Sequence, residues 1–277
     1  MIHSPQIGLG CVTFGREIDE AASFALLDHA YERGVRHFDT AAAYGGGASE
    51  AILGRWLASR RPESIIIATK VLPPYDRIDI RPNLDRLGLE QIDLLYLHQW
   101  HETALHCGST LDALVSKGLV RKLGVSNVSL DQLRSAGSRF SVVQNNHNLA
   151  VSDVSAELRC HCAANSIAIV TYSPLGAGFL TGKHQSGVQA GSRFEIIPGH
   201  QQVYFHESAY QRLAKLEAIA MRTGHSQTHL ALAWALHQRG IDTVLVGGRS
   251  PAHLDQAIAA SEFGDEEVMA EMLEVFR

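Results

Sequence analysis

Four side chains near the start of the chain have the types and spacing that proton-transfer chemistry requires. They are Asp39, Tyr44, Lys70 and His98. A tyrosine with an ordinary pKa of about 10 is a poor acid at neutral pH unless a nearby cation stabilises its phenolate. Lys70 is such a cation, and Asp39 is an electrostatic partner shortly before Tyr44 in the chain. The four side chains form a site for proton donation if the fold brings them together.

The elements that must position these side chains alternate along the sequence. Strands are predicted at residues 7–15, 36–41, 65–71, 92–98, 121–127, 142–144, 167–171 and 243–246. Helices are predicted at residues 19–34, 49–57, 83–87, 109–117, 129–136, 153–165, 207–223, 227–239 and 251–260, followed by a terminal helix. Ser49 has the character of an N-cap for a helix beginning at Glu50, whereas residues 177–206 have no clear period.

This alternation repeats eight times, and the strands are nearly continuous apolar runs, as in a parallel sheet covered on both faces. Polar side chains lie at or just beyond the strand ends: Asp39, Lys70, His98, Asn127, Gln144, Tyr172 and Arg249. A (β/α)8 TIM barrel gathers such ends on one face. We therefore predict the α/β class with a single barrel domain over residues 1–277. The alternative is an open doubly wound sheet, but this sequence has no G-x-G-x-x-G phosphate loop before its first predicted helix.

Composition bounds the partners of the chain. Its 277 residues carry a formal charge of −5 without a compensating basic run, which argues against nucleic acid as a main partner. No apolar run approaches the length of a membrane span, and the first ten residues do not resemble a secretory signal. The four cysteines are too few and too irregular for a disulfide framework. A cytoplasmic protein is therefore expected.

The fifteen histidines invite a metal hypothesis, which the local patterns do not favour. His225 and His229 share a helix face only if their helix starts before His225, and Ser226 is the better N-cap. Cys160 and Cys162 point in different directions on a helix. No metal site is predicted.

Several short motifs in this chain resemble, in order and spacing, those of the aldo-keto reductase superfamily. They are Phe38-Asp39-Thr40-Ala41, Tyr44-Gly45, Ser49-Glu50, Gly54, Thr69-Lys70 and Leu97-His98. The resemblance implies a nicotinamide cofactor across the C-terminal mouth of a barrel and hydride transfer to a carbonyl carbon. Negative charge then develops on the carbonyl oxygen, and a donor must protonate it.

In that reaction Tyr44 is the expected proton donor, and Lys70 is expected to lower its pKa. Asp39 would hold Lys70 charged and oriented, and His98 would donate a hydrogen bond to the carbonyl oxygen. The resemblance therefore implies that these four residues act together and that no metal is needed.

The resemblance also implies cofactor contacts. The expected contacts are Val12, Asp39, Ser126, Asn127, Gln144, Tyr172, Ser173, Pro174, Leu175, Gly176, Gly178, Gly247, Gly248, Arg249 and His253. Ser126, Asn127 and Gln144 resemble residues that hold the carboxamide, and Tyr172 resembles the residue on which the nicotinamide stacks. Residues 173–176 resemble the loop around the pyrophosphate.

The adenosine end of the pattern bears on the choice of cofactor. Arg249 stands where the 2′-phosphate is expected, so NADP (NADPH) is predicted as the preferred cofactor, with NAD possible. The sequence then departs from the family pattern, because Gln256-Ala257 stands where an acid–asparagine pair is usual near the adenine.

Substrate contacts are expected from Phe14, Tyr44, Tyr75, His98 and Trp100, with Phe179 a further candidate wall residue. Together they suggest a partly aromatic pocket for a small-molecule carbonyl or alcohol. The same residues are compatible with a reductase, with an alcohol or sugar dehydrogenase, and with a non-catalytic cofactor-binding protein. The substrate, the favoured direction and the oligomeric state are not predicted by the sequence.

Overall fold

Eight parallel strands close into a barrel in the computed structural model, which describes residues 5–276. The strands are β1 (Gln6–Gly10), β2 (His37–Asp39), β3 (Ile66–Val71), β4 (Ile92–Leu97), β5 (Val120–Ser126), β6 (Val142–Asn146), β7 (Ala168–Tyr172) and β8 (Thr243–Gly247). They pair in chain order, and β8 returns to β1 with Gln6 opposite Thr243. The predicted (β/α)8 barrel is confirmed. The N-terminal stretch assessed for a secretory signal lies partly outside the described residues.

Helices surround the barrel. They are α1 (Glu20–Glu32), α2 (Ala48–Arg60), α3 (Arg81–Leu87), α4 (Gly108–Ser116), α5 (Leu130–Ser135), α6 (Ala156–Ala164), α7 (Arg193–Ile196), α8 (Gln201–Tyr204), α9 (Glu207–Thr223), α10 (Gln227–Leu236), α11 (Pro251–Ser261) and α12 (Glu266–Val275). Side chains cap several of them, as for Asp19 at α1 and Ser129, which forms a capping box at α5. Ser226 caps α10, so that helix starts after His225 as predicted.

The barrel interior is filled by inward-facing side chains from alternate strand positions. Ala68, Leu94, Tyr96, Val142, Val170 and Leu245 form this inner cluster. Tyr96 is opposite Gly124 in the register, and a Cβ at Gly124 would lie 2.5 Å from two atoms of the Tyr96 ring. The absent side chain on β5 therefore makes room for an aromatic ring inside the barrel.

Two local predictions are wrong. β1 ends at Gly10 rather than continuing to Gly15, because the chain turns after Cys11. Ser49 does not cap α2, which begins at Ala48 with Gly47 as its N-cap. The hydroxyl of Ser49 is buried and bonds to Cys11 O and to the Thr40 hydroxyl, both at 2.8 Å. These longer-range partners replace the local capping bond.

Residues 177–206, called the strap below, form a long connection between β7 and α9 that contains the short helices α7 and α8. Aromatic side chains hold its base: the Phe179 and Tyr204 rings are stacked with centroids 6.1 Å apart, and Phe179 also packs on Tyr210. The far part is tied to the loop after β1 by Arg193, whose Nε lies 2.8 Å from the Glu17 carboxylate. The strap is therefore an ordered segment, although its sequence has no helical periodicity.

The described part of the chain has neither a membrane-crossing helix nor a metal-binding cluster. None of its helices combines the length and apolar character needed to cross a membrane. Within residues 5–276, no three His, Cys, Asp or Glu side chains are placed to hold a metal ion. In the helix α6, Cys160 is exposed and Cys162 is buried, so the two point in different directions as predicted.

Candidate active site

Lys70 is the centre of the site at the C-terminal end of the barrel. Its Nζ donates to Asp39 Oδ1, to the carbonyl of Thr40 at 2.8 Å and to the hydroxyl oxygen of Tyr44 at 3.3 Å. The Lys70 and Asp39 side chains are only 1% and 2% exposed. An ammonium has three N–H donors, and each has an acceptor here.

Neighbouring strands produce this geometry. β2 pairs with β3, and β3 pairs with β4, so Asp39, Lys70 and the residue after β4, His98, emerge side by side. Gln144 on β6 reaches across the barrel and donates from Nε2 to Asp39 Oδ2 at 2.8 Å. Asp39 is thus held from two sides.

The charge states of Lys70 and Tyr44 follow from burial and from each other. Burial alone would lower the Lys70 pKa, but the Asp39 carboxylate and the Tyr44 oxygen together raise it above its ordinary value. Burial raises the Tyr44 pKa, and the nearby Lys70 ammonium opposes that rise without cancelling it. Lys70 thus lowers the Tyr44 pKa as expected, but burial has the larger effect and the net shift is upward. Tyr44 keeps its proton at neutral pH, next to a cation that favours its phenolate.

His98 lies beside Tyr44, with ring centroids 5.7 Å apart and an edge-to-face angle of 81°. Burial and then the Lys70 charge lower the His98 pKa to about 4. The imidazole is therefore neutral at neutral pH, with one N–H donor and one bare nitrogen. Its Nδ1 is buried and has no hydrogen-bond partner among the described residues. His98 thus presents a neutral hydrogen-bonding group beside Tyr44.

The amide and hydroxyl groups predicted to contact a carboxamide lie together on the adjoining strands. Ser126 donates to Gln144 O at 2.8 Å, and Asn127 donates from Nδ2 to His98 O at 2.9 Å. Tyr172 on β7 donates its hydroxyl to Asn127 Oδ1 at 2.5 Å. Asn127 has a positive φ of 56°, a conformation that asparagine tolerates better than most residues.

The turn after β7 has a backbone suited to an anion. Ser173, Gly176, Ala177 and Gly178 all have positive φ angles, of 56°, 57°, 57° and 96°. The N–H of Gly176 donates to Ser173 O at 2.8 Å and closes the turn around Pro174 and Leu175. Successive N–H groups in such conformations form concave anion-binding nests. The sequence resemblance and this backbone point to the same residues.

Arg249 follows β8 at the start of α11, where Gly247 and Gly248 precede it. Its Nη1 donates to Gly191 O in the strap at 2.8 Å, a contact that the sequence did not indicate. Thr13 donates to Gly248 O at 2.8 Å and links the loop containing Val12 to this turn. His253 accepts or donates at Nδ1 with the Ser250 hydroxyl at 3.0 Å.

Three of the four aromatic residues expected to line a substrate pocket have buried side chains. Phe14, Tyr75 and Phe179 are at most 1% exposed and belong to the core. The Tyr75 hydroxyl donates to Gln99 O at 2.7 Å, which holds its ring under the loop after β4. Trp100 is half-buried, so only this candidate of the four remains near the surface of the mouth.

Several further residues near the site were not among the site residues predicted from the sequence. Glu50 has a fully buried side chain that accepts from Asn83 Nδ2 at 2.7 Å and from Arg86 Nε at 2.7 Å. Two asparagines follow Gln144. Asn146 bonds to the strap, and Asn148 bonds to the turn after β7. The four amide side chains among residues 144–148 were the available signal, because buried amides need hydrogen-bond partners.

The donor set as a whole fits a nicotinamide dinucleotide. Amide and hydroxyl groups, the Tyr172 ring, a turn rich in N–H groups and an exposed arginine follow one another around the mouth. A carboxamide binds to amide and hydroxyl groups, and an aromatic ring stacks on another aromatic ring. Phosphate groups bind to backbone N–H groups and to arginine.

Known proteins resemble this chain over nearly its whole length. The model of the aldo/keto reductase family matches residues 6–275. A probable aldo-keto reductase of Glycine max is 31% identical, over 92% of this chain and 80% of the relative. An aldo-keto reductase of Schizosaccharomyces pombe, named as NADP(+)-dependent, is 30% identical, over 92% of this chain and 83% of the relative. The fold also matches the holo form of a Bacillus halodurans aldo-keto reductase, with a TM-score of 0.78, 20% identity and coverage of 100% and 93%.

Proposed function

The chain belongs to the aldo/keto reductase family, and we propose that it is an NADPH-dependent reductase of aldehydes or ketones with Tyr44 as its proton donor. The observation that carries this proposal is the Lys70 ammonium, whose three acceptors include the Tyr44 oxygen. A bound nicotinamide supplies the hydride that reduces the carbonyl carbon. The protein's own residues then have to manage the charge on the carbonyl oxygen.

Tyr44 transfers its proton to that oxygen, which becomes the alcohol hydroxyl. The phenolate left behind is stabilised by the N–H that Lys70 already directs at the Tyr44 oxygen. Asp39 keeps Lys70 protonated, since the buried contact with this carboxylate raises the Lys70 pKa. His98, as a neutral imidazole, donates a hydrogen bond to the substrate oxygen and orients it.

NADPH is the proposed cofactor because Arg249 stands at the start of α11, where the helix N-terminus favours an anion. A guanidinium binds a phosphate through parallel charge-assisted hydrogen bonds. The Schizosaccharomyces pombe relative, named for NADP(+), supports the same choice. Ser126, Asn127, Gln144 and Tyr172 would hold the nicotinamide end.

Replacement of Tyr44 by phenylalanine tests the proposal. The change Tyr44→Phe removes the proton donor and keeps the ring, so carbonyl reduction should fall by about a hundred- to ten-thousand-fold. NADPH oxidation with a panel of aldehydes gives the rate, and quenching of NADPH fluorescence gives the affinity, which should stay nearly unchanged. Tyr31→Phe, on the outer helix α1, is the matched control and should retain full activity.

Two outcomes would contradict the assignment. If Tyr44→Phe kept more than half of the wild-type rate with chemistry limiting, Tyr44 would not be the donor. If the wild type bound NADPH tightly and reduced nothing in a broad carbonyl panel, a binding role would replace the catalytic one.

A further inference from the structure

A buried asparagine links the cofactor turn to the strap. Asn148 is fully buried, and its side chain forms four hydrogen bonds. Its Nδ2 donates to Ser173 O and to Asn146 Oδ1, each at 2.9 Å. Its Oδ1 accepts from the backbone N–H groups of Ala150 at 2.9 Å and Val151 at 3.0 Å. Both polar atoms of this amide therefore have hydrogen-bond partners, which fix its orientation.

The Ser173 carbonyl is the point at which Asn148 acts on the turn. It accepts from Asn148 and also from the N–H of Gly176, at 2.8 Å. Ser173 itself has a φ of 56°, which costs a serine free energy because its Cβ crowds the backbone. A residue held in such a conformation requires surrounding contacts that impose it. Asn148 is one such contact.

Tyr204 brings the strap into the same set of hydrogen bonds. It lies in α8, is 3% exposed, and stacks on Phe179 near the start of the strap. Its hydroxyl lies 3.1 Å from Asn146 Nδ2 and 3.3 Å from Asn146 Oδ1. Hydrogen bonds therefore run without a break from Tyr204 through Asn146 and Asn148 to the Ser173 carbonyl.

We propose that Asn148 is a positioning residue that couples the strap to the Tyr172–Ser173 turn, so that both are ordered together. The proposal rests on the proposed function in one respect, because the turn is taken to contact the cofactor. When Tyr204 is in place, Asn146 fixes the Asn148 amide, and Asn148 holds Ser173 in its left-handed conformation. When the strap moves away, the turn loses the contact that orients the Tyr172 ring and the N–H groups of residues 176–178.

The variant Tyr204→Phe removes only the hydroxyl at the strap end. It should raise the NADPH dissociation constant about 2- to 12-fold, the range that one neutral hydrogen bond supports. Trypsin should also cleave after the exposed Lys183 faster than in the wild type, with and without NADPH.

Tyr210→Phe is the matched control. Tyr210 packs on the same Phe179 ring but is 38% exposed, and its hydroxyl is not part of the chain of hydrogen bonds. It should bind NADPH and resist trypsin like the wild type. Equal dissociation constants and equal cleavage rates for Tyr204→Phe and Tyr210→Phe would overturn the proposal.

A second pair of variants tests the action on Ser173. Asn148→Ala should weaken NADPH binding more than Tyr204→Phe does. On a Ser173→Gly background the effect of Asn148→Ala should shrink, because glycine adopts a positive φ without the cost that serine bears. An Asn148→Ala effect of the same size on both backgrounds would contradict this action.

The failure of the proposed function is separable from the failure of this inference. A wild type that binds neither NADPH nor NADH would end the cofactor assignment, whereas cleavage at Lys183 without cofactor would still report the coupling. Normal NADPH binding with no difference between the two tyrosine variants would end the inference alone.

Discussion

Replacing Lys70 by methionine separates the structural from the catalytic role of the buried ion pair. The change Lys70→Met keeps an unbranched side chain of similar length and removes the ammonium. Asp39, only 2% exposed, then loses its cation and keeps Gln144 as its remaining side-chain donor. Breaking a buried ion pair in this way costs about 3–5 kcal/mol, because one charge is left uncompensated.

That cost is a large part of the roughly 5–15 kcal/mol by which a domain is stable. Adding Asp39→Asn removes the stranded charge and leaves an amide oxygen that still accepts from Gln144. The double variant should therefore recover at least half of the stability that Lys70→Met loses, since a neutral replacement of a buried pair is often well tolerated. Both variants should be catalytically inactive, because neither has a cation beside Tyr44.

Urea unfolding followed by circular dichroism measures the free energy of unfolding of the wild type, the two single variants and the double variant. Carbonyl reduction at saturating NADPH is measured on the same samples. A loss below about 1 kcal/mol for Lys70→Met, which is the size of an exposed pair, would refute the reasoning. A double variant no more stable than Lys70→Met would also refute it, because stability would not depend on the stranded charge.

Three further predictions concern the cofactor, the pH and the barrel interior. Arg249→Ala should weaken NADPH binding by one to two decades, since hydrogen bonds to charged groups are worth about 1.5–3 kcal/mol, and should barely change NADH binding, as titration calorimetry can measure. Burial first, and then neighbouring cations, lower the pKa of His98 to about 4 and of His147 to about 3. Below about pH 6.5 the unfolded chain therefore takes up protons that the folded chain does not. The free energy of unfolding in urea should thus fall from about pH 6.5 to pH 4. Gly124→Ala should destabilise the protein by about 1–3 kcal/mol and lower activity, because its methyl group meets the Tyr96 ring beneath Lys70.

Each of these three has an outcome that would contradict it. Equal wild-type affinities for NADPH and NADH would remove the phosphate role of Arg249. Stability that stays constant between pH 6.5 and 4, or that falls equally in a His147→Gln variant, would remove the contribution of His147. A Gly124→Ala protein as stable as the wild type would mean that the Tyr96 ring moves aside freely.

Much of the site was predictable because parallel strands in a barrel end on one face. Once Asp39, Lys70 and His98 were assigned to three successive strand ends, their proximity followed from the strand order alone. The charge on Lys70 also followed, since a buried lysine beside a carboxylate remains protonated. The net pKa of Tyr44 did not follow, because it depends on how far burial outweighs the cation.

The remaining differences arise from contacts between distant parts of the chain. Ser49 has the type and position of an N-cap, but its hydroxyl finds buried partners in two other loops. Phe14 and Phe179 lie in loops at the barrel mouth, and only the packing of those loops decides whether their rings face solvent or the core. Asn148 and Tyr204 are 56 positions apart, so no local pattern predicts that they share a hydrogen-bonded network.

The hydrogen bonds of Lys70 bear on a side reaction between this lysine and a carbonyl substrate. An unprotonated lysine attacks aldehydes and ketones and forms a Schiff base. Lys70 lies next to the expected position of a carbonyl group, yet its three N–H groups are all directed at acceptors, and its pKa is raised rather than lowered. No lone pair is then available on the nitrogen. The same contacts that make Lys70 useful beside Tyr44 protect the enzyme from covalent capture of the aldehydes that it is proposed to reduce.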